Sequence, residues 1–189
     1  MDDRRNGPAV GLFGKLPARG DFVRLGLPGD FVAAWDGWLA GAIAVTRAQM
    51  GAAWLPAFLE APVWCFAVAP GVCGAQPATG LWLPSVDRVG RYFPLTVAAM
   101  QPAASSAWLA ACEAAGRAAL EEDATPEEVL RRLPPPASGG TAATCGSRWW
   151  SIGGPRVAAT ELSLPGLPGA VQFAAMLGAN AAMMTEAET

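Results

Sequence analysis

Histidine is absent from this 189-residue chain, tyrosine and lysine occur once each, and charged side chains make up 15% of it. Without imidazole there is no His general base, no Ser-His or Cys-His nucleophile pair and no HExxH metal motif, so the familiar hydrolase mechanisms fall away. The cysteines, at 65, 73, 112 and 145, include no C-x-x-C pair and have no histidine to complete a ligand set, which excludes the usual structural zinc sites. Neither a metal nor a cofactor is therefore expected. Free thiols packed as small hydrophobes are the default, with Cys65 and Cys73 placed to face each other across a hairpin.

A basic excess is missing too. The balance of 13 basic and 16 acidic side chains gives a formal net charge of −3, which offers no general field for nucleic acid or acidic lipid. The N-terminus, M-D-D-R-R-N-G-P-A-V, opens on acidic residues and lacks the apolar core and cleavage site of a signal peptide, so a cytoplasmic location is expected. Residues 52–74 are apolar, but Pro56, Glu60, Pro62 and Pro70 cut them into pieces too short for a membrane-spanning helix, and no membrane insertion is expected.

What is present is apolar and aromatic: 52% hydrophobic residues, eight of them tryptophan, in a length that suits one domain with a sizeable core. Val10 to Leu16 alternates small and bulky residues as a first strand, and a loop from Pro17 to Pro28 follows. Asp30 is placed to cap a helix whose apolar stripe runs Phe31, Trp35, Trp38, Leu39, Ala42, Val45 and Met50, ending near Gly51, with a short helical turn at Pro56 to Glu60 behind it. Val63 to Ala69, Leu81 to Val86 and Tyr92 to Met100 read as a three-stranded antiparallel meander. Ser106 is the expected cap of a helix through Leu120, with Trp108, Leu109, Cys112, Ala115, Gly116 and Ala119 inward. Thr125-Pro126-Glu127-Glu128 predicts a second, short helix started by a capping box.

Pro134 to Thr144 reads as a linker that needs no fixed structure. A last hairpin over Arg148 to Ile152 and Val157 to Leu162, and a helix over Ala170 to Leu177 carrying Val171, Phe173 and Met176, complete the pattern. The predicted fold class is α+β, a mostly antiparallel sheet packed with helices in an α/β/α layering, with a topological likeness to longin and profilin. One domain is expected over residues 1–180, and a disordered tail over 181–189.

Charge is scarce enough that its placement is informative. Nothing charged occurs from Ala61 to Val86 or from Tyr92 to Cys112, yet Asp87, Arg88 and Arg91 fall together where two strands should turn. In the structural reading Asp87 caps a tight turn, Gly90 supplies the permissive backbone and one arginine pairs with Asp87. In the functional reading two arginines beside Tyr92 and near Trp82 form a patch able to grip a carboxylate or phosphorylated partner. Both can hold. Gly11-Leu-Phe-Gly14-Lys15 is not a phosphate loop, since Ala9 and Leu16 stand where glycine and Ser/Thr are needed; its glycines read as close strand packing with Lys15 at the strand's exit. Arg19-Gly20-Asp21 reads as a loop whose Arg19 and Asp21 pair locally. Trp149 and Trp150 must point one ring to each side of a strand, which makes Arg148 with the outer tryptophan a second candidate surface.

Four segments, G-L-F-G-K-L-P-A-R-G-D-F-V (11–23), A-P-V-W-C-F-A-V-A-P-G-V-C-G (61–74), P-S-V-D-R-V-G-R-Y-F-P-L (84–95) and W-W-S-I-G-G (149–154) with a later G-L-P (166–168), closely resemble the TagF (also called ImpM) family of type VI secretion-associated proteins. The resemblance implies a bacterial cytoplasmic accessory protein that represses secretion post-translationally by binding a forkhead-associated scaffold protein, without enzymatic activity. Two other classes stand beside it: a structural baseplate-like component, and a histidine-free enzyme acting through Asp21, Lys15 and Asp87.

Overall fold

A computed structural model describes residues 8–179; the tail expected to be disordered lies outside them. Seven strands form a single antiparallel sheet: β1 (Val10–Gly14), β2 (Val23–Leu25), β3 (Trp64–Val68), β4 (Ala78–Leu83), β5 (Leu95–Ala99), β6 (Ser147–Ser151) and β7 (Thr160–Leu164), in the order β2-β1-β5-β4-β3-β6-β7. The expected meander is β3, β4 and β5, and the expected late hairpin is β6 and β7. β1 pairs with β5 through Val10 to Phe13 against Ala99 to Thr96. β2 falls in the segment expected to be loop: its three residues, Val-Arg-Leu, are too few to show alternation, yet they pair with β1.

Period-2 alternation sends neighbouring side chains into two cores. Phe13, Phe66, Trp82, Ala98 and Trp149 join α1 (Gly29–Met50), α2 (Trp54–Leu59) and α5 (Ala170–Met176) on one face. Leu12, Leu81, Leu83 and Val97 join α3 (Ser106–Glu121) and α4 (Pro126–Arg132) on the other. Cys65 and Cys73 do not face each other, because Cys73 lies in the first core and Cys65 packs against the second. All four cysteines are free, and burial pushes the Cys65 and Cys73 thiols up to about 12.

The helix signals hold with local corrections. α3 buries the six residues expected, but Ser105 is its cap, its side chain accepting from Trp108 N at 3.2 Å. α4 has the full capping box, with Thr125 N donating to Glu128 Oε2 at 2.8 Å. Pro28, not Asp30, is the N-cap of α1; Asp30 instead accepts from Ala75 N at 2.9 Å and ties the helix start to the β3–β4 connection. Val45 is exposed and Ile43 and Thr46 are buried in its place, the Thr46 hydroxyl donating to Ala42 O at 2.7 Å. On α5 Phe173 and Met176 are buried, whereas Val171 points to solvent.

The segment 134–144 is not an idle linker. Ser105 N donates to Ala137 O at 2.9 Å, and Trp108 Nε1 donates to Pro134 O at 3.1 Å, so the chain is laid along the start of α3. Prolines lack N–H groups, so the segment is held through backbone carbonyls that accept, those of Pro134 and Ala137.

Gly11 shows why β1 begins as it does. A Cβ there would sit 2.2 Å from the Leu25 carbonyl oxygen on β2. Gly11→Ala is therefore expected to cost about 1–3 kcal/mol, as an overpacked site does, read as a lower denaturation midpoint at unchanged denaturant slope.

Candidate functional site

Lys15, at the exit of β1, and Asp87, in the β4–β5 connection, meet at the sheet's end. The Asp87 side chain is fully buried, and its Oδ2 accepts from Lys15 Nζ and, at 2.7 Å, from Arg91 Nε. Its Oδ1 accepts from Val89 N at 3.0 Å and Arg91 N at 2.8 Å. Burial alone would raise the Asp87 pKa, but the Lys15 ammonium, the two N–H donors and the Arg91 guanidinium outweigh it and hold the carboxyl well below the usual carboxylate range. Gly90, at φ +83°, closes the turn, with its N donating to Asp87 O at 3.0 Å.

The same turn is stitched to the Arg19-Gly20-Asp21 loop. Arg88 N donates to Arg19 O at 3.1 Å, and Arg91 Nη2 donates to Gly20 O. Phe22 closes the lid: its ring centroid is 4.6 Å from Lys15 Nζ and 4.8 Å from the Phe93 ring. Two loops far apart in sequence thus form one rigid platform around a buried ion pair.

On that platform a polar cleft of about 440 Å³ is lined by Arg19, Asp21, Phe22, Arg24, Arg88 and Glu127, among others. Arg19 does not pair with Asp21 but lies 3.7 Å from Glu127 at the start of α4. Arg24 pairs with Asp36 at 3.1 Å. Among the described residues the side chains of Arg88 and Asp21 have neither an ion pair nor a hydrogen-bond partner, and both are exposed.

The remaining expected residues fall elsewhere. Trp82 and Trp149 are fully buried and unavailable to a partner, because β4 is the middle strand of the sheet and the pleat turns Trp149 into the α1 core. Tyr92 is half-buried, bridges Val86 and packs edge-on to Phe58 at 6.3 Å. Arg148 and Trp150 are near the opposite edge of the sheet, with the guanidinium 4.7 Å from the Trp150 ring and paired to Glu161 at 2.6 Å. They line a largely apolar groove of about 460 Å³ with Cys65, Leu109, Glu113 and Ile152, the last 88% exposed. The sequence placed the arginine turn but not its ion pair with Lys15; Lys15 as the one lysine, at the end of an apolar strand, was the available signal.

An enzyme built on Asp21, Lys15 and Asp87 finds little support in this geometry. Both Asp87 oxygens are occupied, and a carboxylate held so far below neutrality is a weak base. Among the described residues no group of three or more Cys, Asp or Glu side chains is placed to hold a metal, and no helix is long and apolar enough to cross a membrane.

A family model described as the TagF N-terminal domain, type VI secretion system-associated, matches residues 11–134. No curated protein matches the chain. Among solved structures it is similar to the crystal structure of PA0076 from Pseudomonas aeruginosa PAO1, at 35% sequence identity and a TM-score of 0.79, over 89% of this chain and 94% of that one. With its arginine turn, its β1 exit and α3 and α4 all inside the matched span, the chain belongs to the TagF family of type VI secretion system-associated proteins.

Proposed function

We propose that this protein is a cytoplasmic, non-catalytic negative regulator of the type VI secretion system that acts by binding the system's forkhead-associated scaffold protein through the platform around Asp87. The observation that carries the reading is the turn itself: Asp87 is buried and fully bonded, while Arg88 and Val89 at its tip are exposed, Val89 to 68%. A rigid tip that presents an arginine and an aliphatic side chain is already ordered before it meets a partner, so little conformational entropy is lost on binding.

Co-purification from cells with the secretion genes intact tests it. Scaffold protein recovered with the wild-type chain supports the reading; recovery of the whole sheath or baseplate replaces it with a structural role. Arg88→Glu should weaken scaffold binding by about 2 kcal/mol, roughly thirty-fold, and restore secretion in cells that overproduce the protein. Its melting temperature should hold, since Arg88 has no ion pair among the described residues to lose. Arg91→Glu is the wrong probe, because Arg91 is a ligand of buried Asp87 and its reversal would place two carboxylates together.

A further inference from the structure

The charges of the cleft restrict what can occupy it. A polyanion such as nucleic acid or an acidic membrane surface would meet Asp21 and Glu127 as well as the arginines. Arg19 with Glu127 and Arg24 with Asp36 are neutralised internally, the first pair at 3.7 Å with both side chains more than half exposed. Among the described residues, what is left unsatisfied is one cation, Arg88, and one anion, Asp21, on the walls of the same cleft. Phe22, 40% exposed, adds apolar surface to the lining, and Val89, 68% exposed, follows Arg88 in the turn.

We propose that the cleft between the Arg19 to Arg24 loop and the Asp87 turn docks a protein segment of alternating charge, with a carboxylate set against Arg88 and a basic side chain against Asp21, and with an apolar residue resting on Phe22 and Val89. Rigidity favours this pairing over a nonspecific one. Arg88 N is held by Arg19 O, so the backbones carrying the two walls are fixed relative to each other before binding, and only the two exposed side chains have to be ordered. The inference deepens the regulatory reading above and rests on it for the identity of the partner.

Two arms test the inference so that its failure and that of the regulatory reading are separable. In the first, the capped peptide (Glu-Lys)₃ is titrated into the full-length protein and followed by NMR of arginine side-chain and loop amides, against Glu₆ and Gln₆ as controls. Saturable shifts confined to residues 18–25 and 88–91 with the alternating peptide, at least three-fold tighter than with Glu₆, are expected; Arg88→Gln and Asp21→Asn should each weaken binding several-fold, while Ile152→Ser in the distant groove should not. Absence of saturable shifts, equal binding of Glu₆, or indifference to Arg88→Gln and Asp21→Asn overturns the proposal. In the second, affinity for the forkhead-associated scaffold is measured for the same variants. Peptide binding with no scaffold binding in the wild type leaves the cleft assignment standing and removes the regulatory reading. Scaffold binding of full strength in both cleft variants removes the cleft assignment and leaves the regulator.

Discussion

Asp87→Asn is expected to lower stability by about 3–5 kcal/mol, the usual cost of removing one partner from a buried ion pair, which for a chain of this size shifts Tm down by roughly 6–20 °C. The amide cannot neutralise Lys15, which is 4% exposed and roofed by the Phe22 ring, and it gives Arg91 a neutral acceptor where a carboxylate stood. Lys15→Met should cost less, because Asp87 then keeps Arg91 and two backbone donors. The double variant should cost less than the two single changes added together, since each removes a charge that the other leaves stranded. Additivity in that cycle would show that the two groups do not interact. The carboxylate also sets an acid limb. Its folded pKa lies below its unfolded value of about 3.9, so the stability it supplies is complete above that value and is lost as pH falls through the folded pKa. The asparagine variant should lack this limb while starting from a lower plateau.

Trp35→Ala should be as damaging, at about 3–5 kcal/mol, because it opens a cavity where four aromatic rings converge. The Trp35 ring centroid is 5.2 Å from Phe31, 4.8 Å from Trp38, 4.4 Å from Phe66 and 5.7 Å from Trp149, joining α1 to β3 and β6. Its Nε1 donates to the buried Thr96 hydroxyl at 2.9 Å, so the truncation also takes a partner from a polar group on β5. Trp35→Phe should keep most of the packing and lose only that bond, about 1–3 kcal/mol. Thermal melting together with near-ultraviolet circular dichroism checks both; an alanine variant with near-native Tm would contradict the convergence of rings on α1.

Local chemistry was legible wherever a side chain answers to its own neighbours. The inward set of α3, from Trp108 to Ala119, follows from a 3.6-residue period, and the Thr125 to Glu128 box from four consecutive residues. The Asp87 turn was readable because charge is rare around it. What sequence could not supply is anything fixed by chain segments distant from one another. Lys15 finds Asp87 across the β1 and β4–β5 ends, Arg19 finds Glu127 instead of Asp21, and the proline-rich stretch is held by Ser105, Trp108 and Arg148. Trp82 had the composition of a contact residue but stands on the central strand, a position that depends on the sheet order and not on its neighbours.

The position of β1 between β2 and β5 has a consequence for how the polypeptide matures during synthesis. Its long-range partners on β5 lie 83 to 89 residues downstream, so closing that loop is slow and entropically costly and must wait until β5 has left the ribosome. At typical translation rates of about 5–20 residues per second, the β1–β2 ribbon spends several seconds with Leu12 and Phe13 uncovered and one backbone edge unpaired. Nascent chains stalled before Leu95 should therefore bind holdase chaperones and be cut readily within residues 10–25, and completed chains, in which α3 and α4 also cover Leu12, should resist.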